Sequence, residues 1–319
     1  MKLFGTDGIR GPANVLLTPG LSFDIGAFLG QYQKKNKILI AYDTRRSGIV
    51  IFASLVAGIL SSGGEASSIG VAPTPALAYL CKKYNYDYGI MISASHNPFQ
   101  DNGIKIFDTN GFKIAESIEE EIEKYIASDT RLKLKTGGEI GKFTDKSELI
   151  YEYVDYAKKA FRGGLKLNLL IDGANGSASS VIHHIVAGTS LNATIINVEP
   201  DGVNINADCG STHLDKLQDT IKKSPGKYDL GVAFDGDADR VLFVGPKGEV
   251  LDGDHVLYLL GKHYKKIDTL TKDTVVATVM ANYGLGAALS KLGIKLVATS
   301  VGDKHVQREM IEHDYLIGG

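Results

Sequence analysis

The chain has 319 residues, 44% of them hydrophobic and 23% charged, which is a globular composition with room for about two or three domains. The formal net charge of −2 excludes a global attraction to nucleic acid or to an acidic membrane surface. The two cysteines, Cys81 and Cys209, show no CxxC spacing, which argues against a disulfide framework or a zinc site and favours a reducing compartment. We therefore expect a cytoplasmic protein without a nucleic-acid or membrane partner.

The first block of the chain alternates short β-rich runs with helical patterns. One of its segments, residues 47–64, carries no charge, but the apolar part, residues 49–60, is too short to cross a hydrocarbon layer of about 30 Å at about 1.5 Å per residue. A buried helix is expected there instead. The block as a whole predicts an α/β architecture with a largely parallel sheet. The predicted strands are residues 38–42, 65–70, 88–93 and 103–107, and the predicted helices are 47–62, 75–84 and 116–127.

The alternation restarts twice further along the chain. A polar stretch, residues 129–146, indicates a first boundary, and a second restart follows Asp252. We therefore predict three consecutive α/β domains at residues 1–145, 146–251 and 252–319, the last of them incomplete because it lacks a closing helix. The predicted strands are residues 167–171, 193–198, 230–234, 274–278 and 295–299, and the predicted helices are 148–161, 177–186, 214–222, 256–264 and 285–292.

Three aspartates alternate directly after the predicted strand at residues 230–234. In an extended segment Asp235, Asp237 and Asp239 would project to one side, because side chains repeat with period two. Carboxylates about 4 Å apart repel by about 4 kcal/mol at an effective dielectric constant of about 20. Their convergence therefore calls for a cation, and oxygen ligands select a hard ion such as Mg²⁺ or Ca²⁺.

Other interpretations of the acidic segment are weaker. An EF-hand loop starting at Asp235 needs glycine at its sixth position and glutamate at its twelfth, where this chain has Arg240 and Pro246. An aspartyl phosphatase would place its paired aspartates earlier in the fold, and it remains a rival. An acidic surface turn also remains open. Arg240 argues against it, because the guanidinium adds the positive charge that phosphate chemistry requires.

A second polar segment, "SASHNP" at residues 93–98, follows another predicted buried strand. It suits either a turn or a loop that presents a nucleophile. A Ser95–His96 proton relay is not favoured, because side chains adjacent in sequence generally point apart. We expect Asn102-Gly103 to form a tight turn that brings Lys105 back beside Ser95. A serine near a lysine, with a divalent-cation site in another block, suits a hydroxyl that carries a phosphoryl group.

Eight segments in order along the chain resemble the α-D-phosphohexomutase superfamily, and most of all its phosphoglucosamine mutase branch. The serine and aspartate loops are typical of the superfamily, whereas "GVNIN", "GSTH" and "VGDKHV" are typical of the glucosamine branch. Lys304-His305 is a mild departure from the arginine and aromatic usual at that place. The segments are "FGTDGIRG" (4–11), "DTRRSG" (43–48), "APTPA" (72–76), "SASHNPFQDNGIKIF" (93–107), "DGANGS" (172–177), "PDGVNINADCGSTH" (200–213), "AFDGDADR" (233–240) and "VGDKHV" (301–306).

The resemblance implies a role for each matching residue. Ser95 would be the phosphoserine, and its phosphoryl group would bind one Mg²⁺ together with the three aspartates. Lys105 would be a general acid/base, although the residues alone would also allow an exposed strand lysine. The remaining implied roles are contacts to the phosphoryl group from Arg10 and Arg240, positions in the substrate-binding serine loop for His96 and Asn102, and positions on a sugar-facing loop for Gly302 and Asp303.

The implied activity is the interconversion of glucosamine 6-phosphate and glucosamine 1-phosphate through a hexose 1,6-bisphosphate, which would serve the synthesis of cell-wall precursors. The implied fold has mixed, mostly parallel sheets between helices. The chain ends before the family's acidic sugar loop and fourth domain, so we expect a C-terminally truncated form with weak or absent turnover. A sister mutase for mannose or glucose phosphates and a non-catalytic metal-binding remnant stay open, and a homodimer is a further expectation.

Overall fold

The computed structural model describes residues 2–161 and 163–319, which form two compact units. The first unit runs to Val241 and includes Pro246–Gly248, and the second contains Leu242–Gly245 and Glu249–Gly319. The predicted domain bounds stay predictions. The elements before the second unit are β1 (Ile9–Pro12), α1 (Pro19–Gln31), β2 (Lys37–Tyr42), α2 (Gly48–Ser61), β3 (Glu65–Val71), α3 (Thr74–Lys83), β4 (Tyr88–Ile92), β5 (Asp101–Asp108), α4 (Glu116–Ala127), β6 (Phe143–Asp145), α5 (Ile150–Ala160), β7 (Asn168–Asp172), α6 (Ile182–Val186), β8 (Asn192–Ile196), α7 (Asp215–Lys222) and β9 (Leu230–Phe234).

The first sheet of the first unit is mixed, with the strand order β1-β5-β4-β2-β3-β6. Strands β4, β2, β3 and β6 are parallel, whereas β5 runs antiparallel to both of its neighbours. Alternate residues of β2 point to opposite faces, so Ile38 and Ile40 pack with helices α1, α2 and α4, while Leu39 packs with α3. Both faces are therefore covered, and the polar loops must lie at the ends of the strands.

In the second sheet of the first unit, β7 lies between β8 and β9 and is parallel to both. Strand β9 ends at Phe234, directly before the three aspartates. This topology delivers the acidic segment to the end of a buried strand, as the sequence predicts.

The second unit contains a smaller parallel sheet in the order β13-β12-β14, preceded by an antiparallel hairpin. Its core contains Leu257, Val275 and Leu289. The elements that follow β9 are β10 (Val241–Val244), which begins at the last residue of the first unit's main segment, and then β11 (Val250–Leu251), α8 (Gly253–Lys266), β12 (Thr274–Thr278), α9 (Tyr283–Ser290), β13 (Lys295–Thr299), α10 (Asp303–His313) and β14 (Ile317–Gly318).

Most predicted elements are confirmed, and the differences have local causes. The predicted helix at residues 177–186 is split into a 3-10 helix, Ser177–Ser180, and α6, because Val181 leaves helical geometry with a φ of −127°. The boundary stretch contains β6, which pairs with β3 as an edge strand. No bounds were predicted from the sequence for β1, α1, β6, β10, β11, α10 and β14.

Helix α1 was missed because its glycines are poor helix formers, and tertiary packing overrides that propensity. An added Cβ at Gly26 would overlap the Leu55 carbonyl of α2, and one at Gly58 would overlap the Phe23 carbonyl of α1. The two helices therefore approach each other closely enough that only glycine fits. Ser47, the residue that precedes α2, accepts a hydrogen bond from Asn102 Nδ2 of β5 at 2.9 Å, so the same helix is also tied to the first sheet.

The structure shows the state of the two cysteines and the length of the apolar helix α2. Cys81 and Cys209 are free and buried, and burial raises the pKa of each thiol to about 12. Helix α2 spans 14 residues, and across residues 2–161 and 163–319 the structure contains no helix that combines the length and apolarity needed to cross a bilayer.

The close approach of α1 and α2 can be tested with Gly58→Ala. The added methyl group must displace backbone of α1, so we expect the free energy of unfolding to fall by about 2 kcal/mol despite the better helix propensity of alanine. Urea denaturation measures the change. Gly20→Ala is the matched control on exposed α1 surface, where the nearest atom lies 3.9 Å from the new methyl group. An unfolding free energy of Gly58→Ala equal to that of Gly20→Ala would contradict the packing described here.

Candidate active site

The serine loop leaves β4 and turns sharply at Ser95. Ser95 has a φ of +54°, a left-handed conformation that costs a non-glycine residue about 1–3 kcal/mol unless its surroundings enforce it. Its carbonyl oxygen accepts hydrogen bonds from Arg45 Nη2 at 3.2 Å and from Asn206 Nδ2 at 2.8 Å. The same two side chains donate to the carbonyl of Asn97. These donors hold the backbone of the loop in one conformation.

The predicted turn at Asn102-Gly103 is wrong. Both residues lie within β5, where they pair with Gly11 and Arg10 of β1. The chain instead reverses earlier, with Asp101 N bonded to the Pro98 carbonyl. Glycine is needed at position 103 because a Cβ there would overlap the Ser93 carbonyl. The buried Asn102 side chain donates to Oγ of Ser47, the residue that precedes α2.

The acidic segment is a turn and not an extended strand, which corrects the period-two argument. Ala238 has a φ of +53°, and its amide donates to the Asp235 carbonyl at 3.1 Å. The turn folds the segment back on itself. One carboxylate oxygen from each of Asp235, Asp237 and Asp239 consequently lies within 4.8 Å of the others. The three side chains converge as predicted, by a different backbone route.

The two loops meet at Ser95. Its Oγ donates a hydrogen bond to Asp235 Oδ2 at 2.5 Å, and Ser95 is only 1% exposed. Arg240 Nη2 donates to the same Oγ and to His96 Nδ1, while its Nε donates to Asp235 Oδ2 at 3.0 Å. Burial and the charge of Arg240 lower the pKa of His96, which favours the neutral ring as an acceptor. The hydroxyl therefore lies between a carboxylate and a guanidinium.

Lys105 is buried beneath the aspartates and is not an exposed strand lysine. Its Nζ lies 2.6 Å from Asp237 Oδ2, 2.9 Å from Asp239 Oδ2 and 3.1 Å from Asp7 Oδ2. Burial alone would lower its pKa, but the attraction of the three carboxylates outweighs burial and raises the pKa well above the ordinary lysine range. The side chain is therefore charged and neutralises part of the acidic cluster.

The pKa values of Asp237 and Asp239 shift in opposite directions. Burial would raise the pKa of Asp237, but Lys105 and the Thr74 hydroxyl lower it. Burial and the neighbouring charge of Asp237 raise the pKa of Asp239 to about 6 despite the attraction of Lys105. The positive charge of Lys105 is therefore not enough to offset the cost of ionising Asp239 beside Asp237.

A hard divalent cation fits this donor set. All the candidate ligand atoms are carboxylate oxygens, the type that Mg²⁺ and Ca²⁺ prefer. Asp237 is fully buried, and its Oδ1 has no hydrogen-bond partner. A buried carboxylate oxygen without a partner is costly, and a bound cation would satisfy it.

Arg10 reaches the cluster through Asp7. The two side chains form an ion pair, and Asp7 also lies near Lys105 and Lys113. Burial would raise the pKa of Asp7, but the attraction of these three cations lowers it far below the usual range. Arg10 Nε is buried without a partner, which leaves a donor for an anionic group.

The remaining predicted residues, Gly302 and Asp303, belong to the second unit. Gly302 has a φ of +124°, favoured by glycine, and precedes α10, while Asp303 Oδ1 accepts from the amide of Lys304. Their contact with a sugar stays a prediction.

Sequence reasoning assigned no role to several residues that the structure brings to this site. Arg45 is buried in an ion pair with Asp43, and Thr74 Oγ1 donates to Asp237 Oδ2 at 2.6 Å. Their only indication in the sequence was their place in the segments "FGTDGIRG", "DTRRSG", "APTPA" and "GVNIN". The residues are Asp7, Asp43, Arg45, Thr74 and Asn206.

Three family models match the chain in order. They are described as alpha/beta/alpha domains I, II and III of phosphoglucomutase/phosphomannomutase, and they match residues 1–133, 148–248 and 252–319. The chain belongs to the phosphoglucomutase/phosphomannomutase family. The expected resemblance and the expected fold class of consecutive α/β domains are thereby confirmed.

Individual members of this family show the same relationship. The chain is 44% identical to a phosphoglucosamine mutase of Acetivibrio thermocellus and 45% identical to one of Clostridium acetobutylicum, and it aligns over its whole length with 72% of each. Solved structures show the same fold. One is a phosphoglucomutase/phosphomannomutase family protein from Burkholderia thailandensis, which superposes with a TM-score of 0.86 at 22% sequence identity. The match covers all of this chain and 70% of that chain. An Aspergillus fumigatus N-acetylphosphoglucosamine mutase, solved with GlcNAc-6P and magnesium, shares the fold with a TM-score of 0.56 at 18% identity, over 98% of this chain and 65% of that chain.

Replacing Lys105 by methionine tests the charge balance of the site. Removing the cation leaves buried carboxylates uncompensated, so we expect the free energy of unfolding to fall by about 3 kcal/mol. Urea denaturation in metal-free buffer measures it. Lys124→Met is the control, because the Lys124 side chain is 76% exposed and its ion pair with Glu120 spans 3.9 Å; its effect should stay within about 0.5 kcal/mol. A Lys105→Met chain as stable as the control would contradict the assigned charge balance.

Proposed function

We propose that the chain carries the catalytic centre of a phosphosugar mutase, an isomerase that interconverts glucosamine 6-phosphate and glucosamine 1-phosphate through a phosphoserine at Ser95. The observation that carries the proposal is the hydrogen bond from the buried Ser95 Oγ to Asp235, at the edge of a three-carboxylate cluster. Family membership and 44–46% identity to phosphoglucosamine mutases support the sugar class. Amino-sugar metabolism that supplies cell-wall precursors would use this activity.

In the proposed cycle, a phosphoryl group on Ser95 moves to the free hydroxyl of the sugar monophosphate. The bond from phosphorus to Ser95 Oγ breaks, a bond to the sugar oxygen forms, the sugar hydroxyl loses its proton and Oγ regains one. The resulting 1,6-bisphosphate then returns its other phosphoryl group to Ser95 by the reverse chemistry. A hexose 1,6-bisphosphate would therefore both activate the resting chain and occur as the intermediate.

Arg240 and Arg10 are the proposed phosphoryl contacts. Arg240 donates to Ser95 Oγ, so its guanidinium is placed to neutralise oxygens carried on that atom. The free Nε of Arg10 supplies a further donor. Because phosphoryl transfer depends mainly on positioning and charge stabilisation, guanidinium donors to the phosphoryl oxygens would lower the barrier to transfer.

Lys105 is the proposed general acid/base. It is protonated where it contacts Asp237 and Asp239, because their attraction holds its proton. Donating that proton requires the attraction of these carboxylates to be weakened, and the neutral amine would then be able to accept one. His96 and Asn102 are proposed to shape the substrate side of the serine loop, and Gly302 and Asp303 to contact the sugar.

We propose that Asp235, Asp237 and Asp239, with the phosphoryl oxygens of Ser95, bind one Mg²⁺ per chain. When bound, the ion would act as a Lewis acid that offsets the negative charge of the transferring group. Asp237 Oδ1, buried without a partner, is the oxygen best suited to it. The Aspergillus fumigatus mutase solved with magnesium supports the choice of ion. A homodimer and a cytoplasmic location stay predictions.

Phosphorylation of Ser95 tests the proposed function directly. Incubation of the metal-stripped chain with glucose 1,6-bisphosphate and Mg²⁺ should add one phosphoryl group, detected by intact mass and located at Ser95 by peptide mapping. Ser95→Ala should take up none, whereas Ser54→Ala, which removes a helix-surface hydroxyl bonded to the Val50 carbonyl, should behave as wild type. EDTA should abolish uptake because the carboxylates would lose their cation.

Uptake by Ser95→Ala, or no uptake by wild type at any Mg²⁺ concentration, would refute the phosphoserine mechanism and favour the metal-binding remnant. Where uptake is seen, a panel of glucosamine, mannose and glucose phosphates offered to the phosphorylated chain separates the glucosamine branch from its sister mutases. Loss of the phosphoryl group should be fastest with the glucosamine phosphates.

A further inference from the structure

The two oxygens of the Asp237 carboxylate have different surroundings. Oδ2 accepts hydrogen bonds from Thr74 Oγ1 at 2.6 Å and from Lys105 Nζ at 2.6 Å. Oδ1 is buried and has no hydrogen-bond partner. The carboxylate is therefore oriented by contacts on one oxygen, and the other is left for a ligand that the polypeptide does not supply.

Thr74 holds Asp237 at two points. It is the first residue of α3 and is itself buried, with 6% of its surface exposed. Its amide donates to the Asp237 carbonyl at 2.9 Å, while its hydroxyl donates to the carboxylate of the same residue. One contact fixes the backbone and the other fixes the side-chain torsions, so Asp237 cannot exchange its two oxygens without breaking the hydroxyl bond.

The other partner of Oδ2 does not provide the same restraint. Lys105 donates hydrogen bonds to both Asp237 and Asp239 and forms a further ion pair with Asp7, and its flexible stem and rotatable ammonium group fix no single direction. Thr74 has a stiff β-branched side chain. In addition, the positive end of the α3 dipole lies at Thr74 and favours a negative charge on Asp237.

We propose that Thr74 is a positioning residue for the divalent cation, because its hydroxyl fixes Oδ2 of Asp237 and so directs Oδ1 toward the ion shared with Asp235 and Asp239. The inference rests on the metal site proposed above. Groups that orient a metal ligand through a hydrogen bond commonly contribute about 10- to 100-fold to metal affinity. Thr74 contacts no reacting atom and acts through Asp237.

The test measures the affinity of the unphosphorylated chain for Mn²⁺ by electron paramagnetic resonance, with Mg²⁺ as competitor. Thr74→Val keeps the shape but loses the hydroxyl, and we expect its Mn²⁺ dissociation constant to rise about tenfold. Thr74→Ser keeps the hydroxyl and should stay within about twofold of wild type. Thr220→Val is the matched control, since that hydroxyl bonds only the Lys216 carbonyl of its own helix.

Circular dichroism checks that each variant is folded. If Thr74→Val alters the fold, Thr74→Ala is compared with Thr74→Ser, because both lack the methyl group and only the hydroxyl distinguishes them. Two results would overturn the role of Thr74 and leave the metal site in place. One is wild-type Mn²⁺ affinity in the variants that lack the hydroxyl. The other is the same loss of Mn²⁺ affinity in Thr74→Ser as in those variants. A wild-type chain that binds no Mn²⁺ would overturn the metal site itself and this role with it.

Discussion

The hydrogen bond between Ser95 and Asp235 joins a loop from the first sheet to a loop from the second, and the rest of the site is arranged around this contact. It brings a hydroxyl within reach of three carboxylates that repel one another in a buried setting. Lys105 and Arg240 supply part of the missing positive charge, and the raised pKa of Asp239 shows that the compensation is incomplete. The divalent cation proposed here would complete it, and a phosphoryl group on Ser95 would supply further oxygen ligands.

This arrangement requires backbone conformations that the residues do not favour on their own. Ser95 and Ala238 both have positive φ, and each lies at the point where its loop reverses. Side chains distant in sequence supply the restraint for the serine loop, where Arg45 and Asn206 donate to the same carbonyls. The backbone strain is confined to single residues such as Ser95, whereas the hydrogen bonds that offset it come from residues far away in the sequence.

The sequence was sufficient to predict the order of strands and helices and the two loops that carry the site, because polar residues after buried runs indicate strand ends in an α/β fold. It was not sufficient for the backbone route of those loops. Period-two alternation suggested an extended acidic segment, but a turn brings the carboxylates together. Asn102-Gly103 resembled a turn, yet Gly103 is a strand glycine required by the nearby Ser93 carbonyl. Thr74 and Asn206 could not be identified by spacing, because their contacts with Asp237 and Ser95 span 163 and 111 residues.

In the proposed site, the phosphoryl group on Ser95 and the three aspartates share one divalent cation. Phosphorus nuclear magnetic resonance of the phosphorylated chain tests it most directly, because paramagnetic Mn²⁺ broadens only nuclei close to it. We expect one equivalent of Mn²⁺ to broaden the phosphoserine resonance in wild type and to leave it sharp in Asp237→Asn. A sharp resonance in wild type while Mn²⁺ is bound elsewhere on the chain would rule out a cation shared by the phosphoserine and the aspartates.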